Sequence, residues 1–501
     1  MKKYLAVFIG VLFLFSFTAT AFAIHETAEP DEAVVAKGPT KITIGGKILV
    51  RGWYFEGVSN VNGRNVVPVD DGSNAFYSTN VNLTVDAKVS DNLRGMIEFE
   101  TASGGSNNAN SGLYYWGADG RGYDSKPFAD ILIRQAWIQY TGSGLLGIPA
   151  GLKVGHMPIS LGEKQFLNNE RFGDDAILVW VDPMKELHIL AGTTKLNEGS
   201  TSSGILNHTD DLDGYVLLAT YQLDKDNLIG ANWLWAHSDG NCPSSVSEDE
   251  EGNVVSSPSP NIDNLNFHNV GVHANGKIAG LSYAVEGDFQ FGKLEALSEA
   301  EVLDRGILFP DRDIDAKGWA VYAKLGYNLD IVNLRASFAY GSGDDNANDG
   351  DCEEFQTLQG PDYGATARLV HYTQIYERTV RTAAASAALT TTPGGNTTNT
   401  GIANTTYYNL GVDVNPLKDV SISLDGFFLQ ASETGAWEDQ LETSVDKDLG
   451  WEVDAKATYK ITKNLSYFVE AGWFSAGDFY KDIGADDEDV KQVVHGLLFT
   501  F

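Results

Sequence analysis

The sequence predicts an all-β chain: a transmembrane antiparallel β-barrel of about 18 strands (16–18), with short turns at one end and long loops at the other. Three observations carry this. From Lys41 to Phe501 the chain repeats segments of about ten residues in which apolar and polar residues alternate with a period of two, long enough to cross a bilayer at a tilt. The connections between segments are alternately short and long, an asymmetry that a globular sandwich has no reason to show. The chain also ends on a largely apolar strand, Val490–Phe501, whose final residue is aromatic. An open edge is not tolerated in lipid, so such a strand must be paired.

The N-terminus is read as a targeting segment. Lys2 and Lys3 precede the apolar run Tyr4–Phe17, and Ala21-Phe22-Ala23 is a small-x-small cleavage site, which makes 1–23 a signal peptide. Removing it takes the net charge from −33 to −35. A chain this acidic has no basic footprint for nucleic acid. Residues 24–40 are expected to be a periplasmic lead-in without regular structure, and 41–501 a single barrel domain.

The first strand, Lys41–Phe55, sets the pattern. Ile42, Ile44, Ile48, Val50 and Tyr54 share one face, while Lys41, Thr43, Lys47 and Arg51 share the other. In a barrel the first face meets lipid and the second a wet lumen. Asn80–Val89 turns at Ser90-Asp91-Asn92 into Leu93–Glu100, and the same hairpin recurs down the chain. Ile131–Tyr140 precedes Gly151–Met157, and Ile177–Asp182 precedes Glu186–Thr193. Gly214–Gln222 leads to Leu228–Ala236, Phe267–Lys277 to Leu281–Phe291, and Lys317–Tyr327 to Asn333–Gly341. Tyr407–Val414 leads to Val420–Leu429, and Trp451–Ile461 to Leu465–Phe474, before the terminal strand. Nine connections are long: 56–75, 101–129, 158–176, 194–213, 237–266, 292–316, 342–406, 430–450 and 475–489. Closure then requires Val490–Phe501 to pair antiparallel with Lys41–Phe55. Tyr54, Tyr327, Tyr408, Trp451, Trp473 and Phe501 lie near strand ends on the apolar parity, as interfacial aromatic girdles do.

Strand parity nominates the pore lining. Its candidate bases are Lys47, Arg51, Arg94, Lys324, Arg335 and Lys456. Its candidate acids are Asp86, Glu98, Glu286, Asp288, Asp413, Asp425, Glu452, Asp454 and Glu470. Mixed signs predict at most a mild cation preference. A barrel this wide stays open unless loops fold inward. The best candidate for constriction is 342–406, whose stretch Thr366–Leu389 reads as a short helix carrying Arg368, His371, Arg378 and Arg381. Cys242 and Cys352, the two cysteines, could form one loop-to-loop disulfide or stay as two thiols.

Catalytic and cofactor signatures are missing. There is no C-x-x-C-H for haem, and no nucleophile–base pattern, so neither an enzyme nor a cofactor is expected. Asp344–Asp351 departs from a calcium loop of the EF-hand type in both registers: Gly350 falls one place late, or Ala347 takes a ligand position. A dedicated EF-hand is not read from it, while an adventitious divalent-ion site on this acidic loop stays open.

Two stretches carry a family resemblance. Ile133-Arg134-Gln135-Ala136-Trp137-Ile138 followed by Gly151-Leu152-Lys153-Val154-Gly155-His156 resembles a paired motif of outer-membrane porins of the alginate-export type. Leu449–Asp454 with Asn464–Tyr480 is similar to that family's penultimate hairpin, and Tyr340–Asp345 also fits. The terminal Phe501 looks like the assembly signal of bacterial outer-membrane barrels. The resemblance implies a single-chain channel in the bacterial outer membrane, passing small hydrophilic solutes or ions by diffusion. Its partners would be outer-membrane lipid and lipopolysaccharide, the barrel-assembly machinery and small polar solutes, with the chain as homotrimer or monomer. A barrel sheathing a haem protein in a porin–cytochrome conduit, or a polysaccharide-export channel, are the alternatives. Alginate itself would call for a more basic lumen.

Overall fold

The computed structural model describes residues 33–37, 40–58, 68–103, 114–116, 129–144, 147–170, 173–197, 212–238, 246–248, 254–256, 262–296, 313–346, 349–359, 372–380, 401–485 and 488–501. Eighteen long strands form its wall. The first nine are β1 (Thr40–Val58), β2 (Pro68–Lys88), β3 (Leu93–Ser103), β4 (Ala129–Ser143), β5 (Pro149–Met157), β6 (Asp174–Met184), β7 (Leu187–Asn197), β8 (Leu212–Gln222) and β9 (Leu228–Ser238). The second nine are β10 (Ile262–Ile278), β11 (Leu281–Ala296), β12 (Trp319–Leu329), β13 (Val332–Gly341), β14 (Thr405–Leu417), β15 (Val420–Ala431), β16 (Asp448–Lys460), β17 (Leu465–Ala476) and β18 (Val490–Thr500). Each pairs antiparallel with the next, and β18 pairs with β1.

The closing register runs from Lys47↔Thr500 to Glu56↔Lys491. Gly46 N–H donates to the Phe501 carbonyl (2.9 Å), and Phe501 N–H donates back (3.1 Å). A Lys491–Glu56 ion pair (2.8 Å) marks the other end of the seam. Closure satisfies the backbone of both terminal strands, as a lipid-facing sheet must. This is the architecture of outer-membrane barrels, and the expected strand count, loop alternation and closing pair all hold.

Side-chain exposure reproduces the two faces. Ile48, Ile97, Ile133, Val179, Val272, Leu410 and Leu497 project outward and are exposed, with Leu410 at 74%. A contiguous apolar band of this size on a water-facing surface would be an aggregation liability; against hydrocarbon it is the correct solvent match. Aromatic pairs sit near its edges. Trp319 packs on Tyr340 (4.6 Å between ring centres), Trp451 on Trp473 (4.9 Å) and Phe499 on Phe501 (5.6 Å).

The structure departs from expectation in three places. Within the lead-in, Ala33–Lys37 is a strand that folds back on Thr40–Ile44 of β1, just beyond the point where β18 stops. It extends the seam past the C-terminus and gives the first residues of β1 a second partner. β2 begins at Pro68, inside the segment expected to be loop, because 68–80 continues the ladder against β1. The lumen face of β1 is not purely polar: Leu49, Trp53 and Phe55 are buried with Phe468 and Val494. The targeting segment 1–23 lies outside the described residues.

Candidate functional site

Two segments leave the loop end of the barrel and turn into its lumen. The first connects β5 to β6. Ile159, Leu161, Phe166 and Leu167 are buried, and residues of this character can be dry in a loop only by packing against the interior. Phe166 meets Phe267 of β10 (6.3 Å) and Phe355 (6.4 Å). Polar contacts fix the tip: Glu163 N–H donates to Glu286 of β11 (2.5 Å), and Asn275 Nδ2 of β10 donates to Glu163 Oε1 (2.6 Å). Gly162 has φ +54°, and a Cβ there would meet Glu286 Oε1 at 2.5 Å, so the close approach needs glycine. At its base, Glu170 is tied to Lys164 (2.8 Å), and its carbonyl accepts from Arg134 Nη2 (3.0 Å). Burial pushes the Glu170 carboxyl up, but the Lys164 hydrogen bond and charge, together with the hydrogen bond from Ser160, outweigh it and leave it below its ordinary range.

The second inward segment belongs to 342–404. One helical turn, Tyr376–Val380, lies inside the lumen with Ile375, Tyr376 and Val380 buried. Three consecutive backbone N–H groups, of Gln374, Ile375 and Tyr376, converge on the carboxylate of Glu452 in β16 at 2.8, 2.7 and 2.8 Å. Gln374 N–H also reaches Asp454 (3.0 Å). Such a nest of N–H groups favours an anion, and here the barrel wall supplies it. Tyr376 Oη bonds Thr405 (3.0 Å), and Tyr372 stacks on Tyr407 (4.5 Å). The two segments also touch each other: Leu167–Asn168 pairs parallel with Leu358–Gln359.

Between them and the wall lies a cavity of about 560 Å³. Lys324, Arg335, Asp413, Asp425, Asp454 and Lys456 line it from the strands, and Glu163, Lys164 and Glu377 from the segments, with Tyr322, Tyr372, Tyr407 and Phe427 as its aromatic surface. Arg335 is held by both Asp413 and Asp425, each through two hydrogen bonds of 2.8 Å. Lys456 pairs with Glu470 (2.6 Å). Fixed charges of both signs on a wet surface orient water and polar solutes without a deep trap for either sign.

Of the residues nominated by strand parity, the structure brings six to this cavity, Lys324, Arg335, Asp413, Asp425, Asp454 and Lys456, and not the rest. Glu286, Asp288 and Glu452 are buried rather than water-facing, because the inward segments or neighbouring side chains cover them. Glu98 is buried too, beneath Arg134, Asn82 and Gln135. Asp86 and Arg94 pair with each other, and Arg51 lies over Trp53 (4.6 Å to the ring centre). Lys47 sits opposite Thr500 at the closing seam. The inward segment within 158–170 is one the sequence reading did not single out, although Phe166-Leu167 among Gly, Asn and Glu is an apolar signal. Within 366–389 the described residues contain one helical turn, shorter than the expected helix. Arg378 lies on that turn; Arg368, His371 and Arg381 lie outside the described residues. Cys352 is buried with its Sγ against Gln356 and the Glu354 carbonyl, and Cys242 lies outside the described residues.

Residues 259–493, just under half of the chain, match a protein-family model described as alginate export. No curated protein matches the chain. Solved structures similar to it include Pseudomonas aeruginosa OccK8 (OprE), 11% identical with a TM-score of 0.49, covering 91% of this chain and 98% of that one. Pseudomonas aeruginosa OccK10 (OpdN) is 11% identical with a TM-score of 0.48, covering 91% and 99%. Acinetobacter baumannii OccAB1 is 10% identical with a TM-score of 0.47, covering 91% and 97%.

Proposed function

We propose that this outer-membrane barrel is a porin: a water-filled channel through which small hydrophilic solutes or ions diffuse down their gradients, with no catalytic step. The observation that carries the reading is the lumen itself. It carries fixed charges of both signs, and two wall-anchored segments lie inside it, with a cavity of about 560 Å³ between them and the wall. That volume is in the range of sites for small molecules. Alternating lipid-facing and lumen-facing residues place the barrel in the outer membrane, and both termini of the barrel domain fall on the short-turn side.

The same observation disfavours the other two readings. A haem protein threaded through the barrel would need the space that Phe166, Tyr372 and Tyr376 occupy. A polyanion exporter would gain from unpaired cations along its path, whereas Arg335 and Lys456 are paired with carboxylates. The apposed aromatic and charged surfaces of the cavity suit polar organic solutes.

Single-channel recording on the refolded full-length protein in planar bilayers tests the proposal. Discrete conductance steps with weak selectivity are expected. A folded barrel that inserts yet conducts nothing would refute it.

A further inference from the structure

A second group of charges lies away from the cavity, where β13 leaves the barrel. Gly341 opens into Ser342, Gly343 and Asp344, and the chain returns through Asp351–Phe355. Ser342 clamps this return: its Oγ donates to the Glu353 carbonyl (2.5 Å), and its own carbonyl accepts from Phe355 N–H (3.0 Å). The first turn of a short helix, Gly435–Leu441, closes on the other side, so near that a Cβ on Gly435 would collide with the Asp345 carbonyl.

We propose that Asp344, Asp345 and Glu353 form a Ca²⁺ site at the loop end of the barrel. One carboxylate oxygen from each lies within 4.8 Å of the others. That is about twice a Ca–O bond of ~2.4 Å, so one ion between them can touch all three. The independent observation is Asp344. It is 2% exposed. Its Oδ1 accepts from Asn346 N–H (3.1 Å), while its Oδ2 is buried with no hydrogen-bond partner among the described residues. A buried carboxylate oxygen without a donor is costly, and a cation is the ligand that removes the cost.

The surroundings point the same way. Further carboxylates, of Asp349 and Glu354, lie near enough to Asp344 to add to the negative potential there. The neighbouring Lys317 is engaged with Asp351. All three donors are carboxylate oxygens, which suit a hard cation. The three residues do not follow EF-hand spacing. Glu353 is brought in by the Ser342 clamp, not by its position in a loop motif.

The test is calorimetric titration of CaCl₂ into the refolded, EDTA-treated full-length barrel. One saturable site per chain is expected. Asp344→Asn and, separately, Asp345→Asn should each weaken it by about tenfold or more, since ligand charge sets affinity in such sites. Asp345 is exposed, so its variant tests the site even if Asp344→Asn does not fold. Asp91→Asn, in an exposed turn at the opposite end, should change nothing. Absence of saturation at millimolar Ca²⁺, or binding that survives Asp345→Asn undiminished, would overturn the proposal.

Discussion

Replacing Glu452 by Gln should release the helical turn that narrows the lumen. The carboxylate is 0% exposed and accepts three backbone N–H bonds, from Gln374, Ile375 and Tyr376, at 2.7–2.8 Å. Hydrogen bonds to a charged group are each worth ~1.5–3 kcal/mol. Glutamine keeps one acceptor oxygen but turns an NH₂ group toward the donors. Losing the charge and one or two of the three bonds costs about 3 kcal/mol, allowing for non-additivity. At 1.4 kcal/mol per decade, that shifts the pinned-to-released ratio by roughly a hundredfold. The side chain keeps its size and stays inside a barrel whose strand-to-strand backbone ladder is untouched, so the fold should survive. Single-channel recording should show larger and noisier steps than the parent, with occasional returns to the parent level. A folded Glu452→Gln barrel with unchanged conductance and noise would refute the assignment of 372–380 as a wall-pinned constriction.

Removing Arg335 (Arg335→Ala) frees Asp413 and Asp425 to face the cavity. One lost positive charge ~10 Å from a passing ion is worth ~1.7 kcal/mol at an effective dielectric of ~20, so cation preference, read as reversal potential, should rise by up to about a decade at low salt and fade at high salt. Leu410→Arg on the lipid face should cost ~2–4 kcal/mol in a denaturant titration in lipid vesicles, whereas Ser337→Arg on the lumen side should cost far less. Glu170 sits below its ordinary range in the folded state, so its tie to Lys164 is present above the unfolded value near 4.5 and is lost as pH falls through and below it. Current noise should therefore grow on acidification from pH 5 to pH 3, and Glu170→Gln should show that noise already at neutral pH.

The wall of the barrel was legible because its code is local. Period-two alternation assigns each residue to a face, and the alternation of turn and loop lengths assigns each strand a direction; neither needs a distant partner. The closing of Val490–Thr500 on β1 followed from that count alone. The lumen was less legible, because parity gives the face of a residue and not what covers it. Glu286 and Glu452 read as acids wetting a pore, on the same footing as Asp413. What separates them is a pair of segments arriving from elsewhere: Glu163 from a loop five strands away, and Gln374–Tyr376 from a turn 76 or more positions earlier in the chain. Leu49, Trp53 and Phe55 broke the rule in another way: they pack on Phe468 and Val494 of neighbouring wall strands, so cross-strand neighbours bury apolar side chains on the lumen face.

The acids of the wall therefore divide into two populations by the donors they meet. Asp413 and Asp425 are neutralised by a side chain, Arg335, and keep an edge toward the cavity. Glu286 and Glu452 are engaged by backbone N–H groups of inward segments and are withdrawn from it. A backbone donor brings no compensating charge and no side-chain entropy to lose, so a wall carboxylate fixes the path of a loop through three or four atoms of main chain whatever the loop's sequence. The parallel pairing of Leu167–Asn168 with Leu358–Gln359, and the packing of Phe166 on Phe355, then join the two segments into one body inside the barrel. Loosening either anchor has to strain that shared contact, which is why the constriction is better described as one element held at two points than as two independent loops.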